Sequence, residues 1–328
     1  LGVAASIKHF PGDGRDERDQ HLVTSINDMS CEDWDATYGM VYKTCIDAGA
    51  LTVMVGHIMQ PAYSRRLTPG IADDAIMPAS LAPELLQGLL RDKLGFNGLI
   101  TSDATTMVGM MTQMPREKAV PHTIAAGCDM FLFTRNLEED HAYMVQGVED
   151  GVITEARLDK AVTRILATKA AIGLHQKQKE GTLVPSAWGL GVIGCEEHRV
   201  WTRECADRAV TLVKSDDTVP IDPDKQKRVL LHVIGDEPGY GNITGGKNTY
   251  FKEKLEREGF SITVFDPAAG WEGALTRYDA SIQDHDLIIY FCAVATKSNQ
   301  TTVRIEWAQP MGANCPIYIP VIPTIFIS

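Results

Sequence analysis

Short apolar runs alternate with amphipathic stretches through the first half of the chain, the pattern of β/α units that build a parallel sheet. Strands are expected at 3–9, 51–57, 99–102 and 130–133. Between and after them, 31–48, 83–93, 116–126 and 155–171 carry helical periodicity. Ser30, Ser80 and Thr154 are the expected N-caps, and Gly173 stops the last helix. The stretch 175–194 is rich in Gly, Lys, Gln and Pro, has no period, and is expected to be a linker. A second series follows: helices at 196–209 and 250–258, strands at 210–214, 228–235, 262–265, 287–293 and 317–327. The expected organisation is an α/β unit over 1–174, the linker, and a doubly wound α/β layer over 195–328.

Composition narrows the partners. The 328 residues carry a net charge of −12 with basic residues scattered among acids, which disfavours a nucleic-acid ligand. No run of eighteen or more apolar residues occurs, so no membrane span is expected. The 7 cysteines are odd in number and unevenly spaced, and Cys45, Cys128 and Cys292 lie in apolar stretches. They are expected to be buried thiols in a reducing, cytoplasmic compartment rather than a disulfide framework. The chain opens on a strand-like run without Met and closes on another, so both ends are expected to be cut from something longer.

In parallel α/β folds the loops after the carboxyl ends of strands carry the chemistry. Those ends supply Lys8 and His9, then His57, then Asp103, then Thr134 and Arg135. The run Lys8-His9-Phe10-Pro11-Gly12-Asp13-Gly14 passes from an apolar strand into a Pro/Gly turn that leaves backbone room for a ligand. Asp19-Gln20-His21 follows on the same loop, and an Asp two residues before a His can fold back to fix its ring, as a proton donor requires. Asp103 ends the apolar strand Leu99-Ile100-Thr101-Ser102, where a carboxylate is costly unless paired or used.

These residues resemble glycoside hydrolase family 3, in its β-N-acetylglucosaminidase branch. The run Lys8-His9-Phe10-Pro11-Gly12-x-Gly14 followed by Asp19-x-His21 is similar to the branch signature, and Gly95-Phe96-x-Gly98-Leu99-Ile100-x-Ser102-Asp103 to the segment carrying the family's nucleophile. Pro78-Ala79-Ser80-Leu81, Ala126-Gly127-x-Asp129-Met130 and the closing helix resemble it further. The resemblance implies a retaining exo-glycosidase acting on terminal β-N-acetylglucosaminides, with Asp103 as nucleophile, His21 backed by Asp19 as acid/base, and Lys8, His9 and His57 on the sugar. It implies a carbohydrate substrate, no cofactor and no metal. The fold implied is the C-terminal half of a (β/α)8 TIM-type barrel followed by an α/β sandwich domain. A half-barrel leaves sheet edges uncovered, so a further segment, another chain or a paired half-barrel is expected to complete it. The chain departs from the family at Asp13, where His is usual, and at Ala104, where Asp is common.

Other readings stay open at this point. Within the family these are a β-glucosidase-type enzyme and a phosphorolytic one. Outside it, Asp13, Asp19, His21 and His57 could ligate a metal for hydrolysis, although Lys8 beside them repels a cation. A sugar-binding protein without catalysis has no need of both Asp103 and the Asp19–His21 pair. The strand ending at Gly235 enters a Gly-containing loop, but G-x-G-x-x-G is not met there, so a dinucleotide site is weakly signalled.

Overall fold

The structure, a computed structural model, describes residues 2–184, 186–236, 246–266, 282–294, 298, 304–308, 312 and 314–328. They fall into two compact units, one running to Gly189 and one taking up most of the chain from Leu190 onward. That division lies inside the segment 175–194, which overlaps a short helix, Leu174–Lys179, and holds a 3-10 turn, Ala187–Val192.

The first unit contains β1 (Ser6–Phe10), β2 (Ser25–Ile26), β3 (Thr52–Val55), β4 (Ile58–Met59), β5 (Leu99–Ala104) and β6 (Met130–Leu132). One four-stranded sheet has the order β1-β3-β5-β6, and β2 pairs with β4. Every pairing in that sheet is parallel, so the loops after Phe10, Val55, Ala104 and Leu132 gather at one end. Val53, Val55 and Ile100 from the sheet pack with Trp34, Tyr42, Leu85, Leu86, Leu89 and Leu90 in one core. The four leucines come from the helix Glu84–Lys93 at positions that share one face. Burying each contributes on the order of 2 kcal/mol before entropy is charged against it.

The opposite end of the sheet is braced by charge. Asp129, immediately before β6, is buried and pairs with Arg91 at 2.7 Å, Arg157 at 2.6 Å and Arg164 at 3.5 Å. Its Oδ2 also accepts from the Ile100 amide at 3.0 Å. Two helices are thereby tied to β5. Gly127, two residues earlier, has φ +142°, and a Cβ there would meet Gln87 Nε2 at 2.3 Å. The run Ala126-Gly127-x-Asp129-Met130 is a structural brace.

In the second unit β7 (Arg228–Gly235), β8 (Ser261–Val264), β9 (Leu287–Ala293) and β10 (Thr324–Ile327) form a parallel sheet in the order β10-β9-β7-β8. Val229, Leu231, Leu287 and Ile289 face Leu255 and Phe260 on one side, while Leu230, Ile234, Ile288 and Tyr290 face Tyr318 and Ile322 on the other. Apolar residues on both faces are what a doubly covered parallel sheet requires. Across one face His232 stacks on Phe265 and on Tyr290, each with ring centroids 4.5 Å apart, and Tyr290 stacks on Phe326 at 4.9 Å.

Several expected elements differ. Residues 210–214 have no regular structure, and Val210, Leu212 and Val213 are exposed. An apolar run becomes a strand only when a partner edge accepts its ladder. Of 317–327 only Thr324–Ile327 is strand, because Pro320 and Pro323 cannot donate to one. Ser80 is no N-cap: it lies in the 3-10 turn Ala79–Leu81, ahead of a helix whose N-cap is Pro83. The helices Pro61–Leu67 and Leu137–Glu149 were not expected. Most of the loop after Gly235 lies outside the described residues. No described helix is long and apolar enough to cross a membrane.

Candidate active site

Phe10 is fully buried and anchors the end of β1, and the chain then turns through Pro11 and Gly12. Trp34 Nε1 donates to the Pro11 carbonyl at 2.6 Å. Gly12 has φ +129°, and a Cβ would sit 2.3 Å from the Tyr38 ring, so only glycine fits. This fixed turn displays His9. Its Nδ1 lies 3.3 Å from Asp13 Oδ2, and its Nε2 lies 3.6 Å from Asp103 Oδ2. The hydrogen bond from His9 holds the Asp13 carboxyl below the usual aspartate value, so Asp13 is an acceptor and Nδ1 carries the proton.

Asp103 emerges where the buried β5 residues Leu99–Ser102 reach the sheet's carboxyl end. Its side chain is 12% exposed, enough to be reached and too little to be freely solvated. The Ala104 amide donates to Oδ1 at 2.7 Å. The next carbonyl, of Ala104, accepts from His57 Nε2 at 3.0 Å. Because that carbonyl can only accept, Nε2 carries the His57 proton, and Nδ1 accepts from the Ser80 hydroxyl at 2.8 Å. His57 is fully buried, and burial lowers its pKa from the ordinary histidine value. Neither ring nitrogen is left for a sugar. His57, expected to contact substrate, instead braces the backbone beside Asp103.

The Asp19–His21 pair forms the second half of the site. One carboxylate oxygen, Oδ1, accepts from both the His21 amide at 2.9 Å and its Nδ1 at 2.6 Å. That leaves Nε2 as the working nitrogen of a half-exposed ring. The loop is pinned to the segment after β5, since the Val108 amide donates to the His21 carbonyl and the Gly109 amide to the Gln20 carbonyl, each at 3.2 Å. Lys8, expected beside His9 on the sugar, lies along an apolar cavity of about 530 Å³ with Ile7, Tyr38, Met40 and Val41. Its side chain makes no hydrogen bond or ion pair with a described residue.

The structure therefore joins Asp13, His9 and Asp103 in one line and Asp19 with His21 in another, and sets His57 against the backbone beside Asp103. Sequence reasoning missed Gln20, Ser80 and Gly109. The only signal for Gln20 was its place between Asp19 and His21.

Residues 1–168 match the glycosyl hydrolase family 3 N-terminal domain. The chain belongs to glycosyl hydrolase family 3. Its barrel-type sheet of β/α units is the α/β fold that the resemblance implied. A Cellulomonas fimi protein named beta-N-acetylglucosaminidase/beta-glucosidase is 52% identical over 100% of this chain and 58% of its own length. A solved structure of beta-glucoside phosphorylase BglX is 40% identical, covers 99% of this chain and 57% of that one, and superposes with a TM-score of 0.89. A Paenibacillus family 3 beta-N-acetylglucosaminidase shares the fold at TM-score 0.66 and 22% identity, covering 89% of this chain and 53% of its own. The chain thus spans a little over half the length of these relatives.

Proposed function

We propose that the whole protein is a retaining exo-glycosidase that removes terminal β-N-acetylglucosamine through a covalent glycosyl-enzyme. Asp103 attacks the anomeric carbon as Nε2 of His21 gives its proton to the departing glycosidic oxygen. In the second half His21 takes a proton from the incoming acceptor, which displaces Asp103 and restores the β-configuration. Asp19 keeps the His21 ring in its working orientation and stabilises the positive charge the ring bears while Nε2 holds a proton. His9, held by Asp13, reaches toward Asp103 and the sugar hydroxyls beside it, with Lys8 proposed for a neighbouring hydroxyl.

The observation that carries this reading is the 2.6 Å Asp19–His21 pair on a loop bonded to the segment that follows Asp103. The name of the 52%-identical relative supports both an N-acetylglucosaminide and a glucoside as substrate. A metal-hydrolase reading is disfavoured because both His57 nitrogens are spent on Ser80 and Ala104. Seven free thiols, with Cys31, Cys128 and Cys292 buried, support a reducing, cytoplasmic location. Fractionation of the parent cells tests that location.

A second reading concerns the acceptor. The 40%-identical structure carries the name of a phosphorylase, and an imidazole brings no negative charge against an incoming phosphate, as a carboxylate base would. Phosphate is then the acceptor in place of water, and the product is a sugar 1-phosphate.

The test is turnover of the p-nitrophenyl β-N-acetylglucosaminide and β-glucoside by the full-length parent, with and without phosphate, alongside Asp103→Ala and His21→Ala. Loss of N-acetylglucosaminide turnover in both variants supports the assignment. Full rate in Asp103→Ala refutes the nucleophile, a dominant glucoside activity refutes the sugar, and turnover accelerated by phosphate selects the second acceptor.

A further inference from the structure

Gln20 lies between the two members of the Asp19–His21 pair, yet its own side chain points away from solvent and is only 3% exposed as a residue. Both ends of its side-chain amide and its main-chain carbonyl are bonded. Its Oε1 accepts from the His57 amide at 2.8 Å, and its Nε2 donates to Asp13 Oδ2 at 3.2 Å. Its carbonyl accepts from the Gly109 amide at 3.2 Å. These three partners belong to segments after three different strands: Asp13 follows β1, His57 follows β3 and Gly109, in the short helix Val108–Met111, follows β5.

The packing leaves this residue no freedom. A Cβ on Gly56 would come 2.9 Å from Gln20 Oε1, and a Cβ on Gly109 would come 2.6 Å from the Gln20 carbonyl oxygen. Bare backbone at Gly56 leaves room for the Gln20 amide, and bare backbone at Gly109 lets the Gln20 main chain approach closely. The same side chain reaches His57, whose ring holds the Ala104 carbonyl, and Ala104 flanks Asp103. A rigid link therefore runs from the proton-donor loop through Gln20 and His57 to the backbone of the nucleophile.

We propose that Gln20 is a positioning residue that sets the placement of His21 relative to Asp103. It touches neither substrate nor the reacting atoms. Its effect on the reaction passes through the two residues on either side of it, and the inference rests on the assignment of His21 as proton donor. Loss of the link lets the loop drift, and a misplacement of about 1 Å in a catalytic group costs on the order of a hundredfold.

Proton donation matters for a poor leaving group and little for a good one, and this separates a positioning role from a general structural one. The experiment measures kcat/KM of the full-length parent on a phenyl and a dinitrophenyl β-glycoside of the same sugar, for Gln20→Met, Gly109→Ala and His21→Ala. Gln20→Met keeps the length and removes both hydrogen bonds, and Gly109→Ala presses on the same residue from outside should the first variant fail to fold. The expected result is a loss of about tenfold or more on the phenyl glycoside, with the dinitrophenyl glycoside within about threefold of the parent, the pattern of His21→Ala in weaker form. Equal losses on both glycosides in the Gln20 and Gly109 variants, with His21→Ala still sensitive to the leaving group, would overturn the positioning role and leave the proton donor in place. No loss on either glycoside overturns it as well. If His21→Ala itself shows no dependence on the leaving group, the proton-donor assignment falls and the inference with it.

Discussion

His232 sits at the centre of the second sheet with no hydrogen-bond partner on either ring nitrogen among the described residues and no exposed surface. Flanked by Phe265 and Tyr290, it behaves as an aromatic ring that happens to titrate. Burial lowers its pKa from an ordinary 6.5 to about 4. A histidine whose folded value is depressed costs nothing while both states are neutral. As pH falls below 6.5 the unfolded chain takes up a proton that the folded sheet refuses, and stability drains away until the folded value near 4 is reached. At about pH 4.5 the loss amounts to about 2.5 kcal/mol relative to neutral pH. His232→Phe keeps a ring in the ladder and removes the titration. Urea titrations of both proteins at about pH 7.5 and about pH 4.5, followed by near-UV circular dichroism of the tyrosines, isolate the effect because all other groups titrate in common. The variant is expected to lose about 2 to 3 kcal/mol less than the parent on acidification. Parallel losses in the two proteins would show that His232 is charged or solvated in the folded state, and the reasoning would fail.

Two further outcomes follow from the first unit. Asp19→Asn preserves shape but removes the carboxylate that fixes His21, so kcat/KM on a phenyl glycoside is expected to fall by about a hundredfold or more with little change on a dinitrophenyl one; equal effects on both contradict the pairing. Asp129→Ala strands Arg91 and Arg157 inside the unit and is expected to cost about 3 to 5 kcal/mol of stability, read by urea titration; a cost under about 1 kcal/mol means the brace is idle.

Of the strands in the first unit, β3 and β5 were legible because buried parallel strands are short apolar runs, whereas 130–133 showed as an apolar run although Met130 and Phe133 are exposed. The helices Arg116–Ala126 and Glu155–Ala171 match their periodic stretches end to end, the second because Thr154 supplies a cap that the structure uses. Leu137–Glu149 was missed because Leu137, Val145 and Val148 are exposed, which blurs the apolar stripe; its Asn136 cap, accepting from the Glu139 amide, was the signal available. Residues 210–214 were misjudged for the opposite reason, since their composition favours a strand that no neighbour supports.

The site divides along the same line. Asp103 and His9 follow from position at strand ends, and Asp19 with His21 from a spacing of two residues that closes on itself. His57 sits at a strand end too, but which way its ring faces depends on Ser80 in the turn Ala79–Leu81, far along the chain. Gln20 is invisible for the same reason: its meaning lies in contacts with residues 57 and 109, and no local pattern encodes them. Lys8 was read from its strand-end position alone, and it lines a cavity with Tyr38 and Met40.

The central claim is that Asp103 forms the covalent bond to the sugar. Incubating the full-length parent with a fluorinated N-acetylglucosaminyl donor that is displaced slowly from the enzyme, followed by peptide mass spectrometry, reads that bond directly. A single sugar adduct on Asp103, absent from Asp103→Asn, is the result predicted; an adduct on another carboxylate, or turnover of the donor with no adduct at any time, would contradict it.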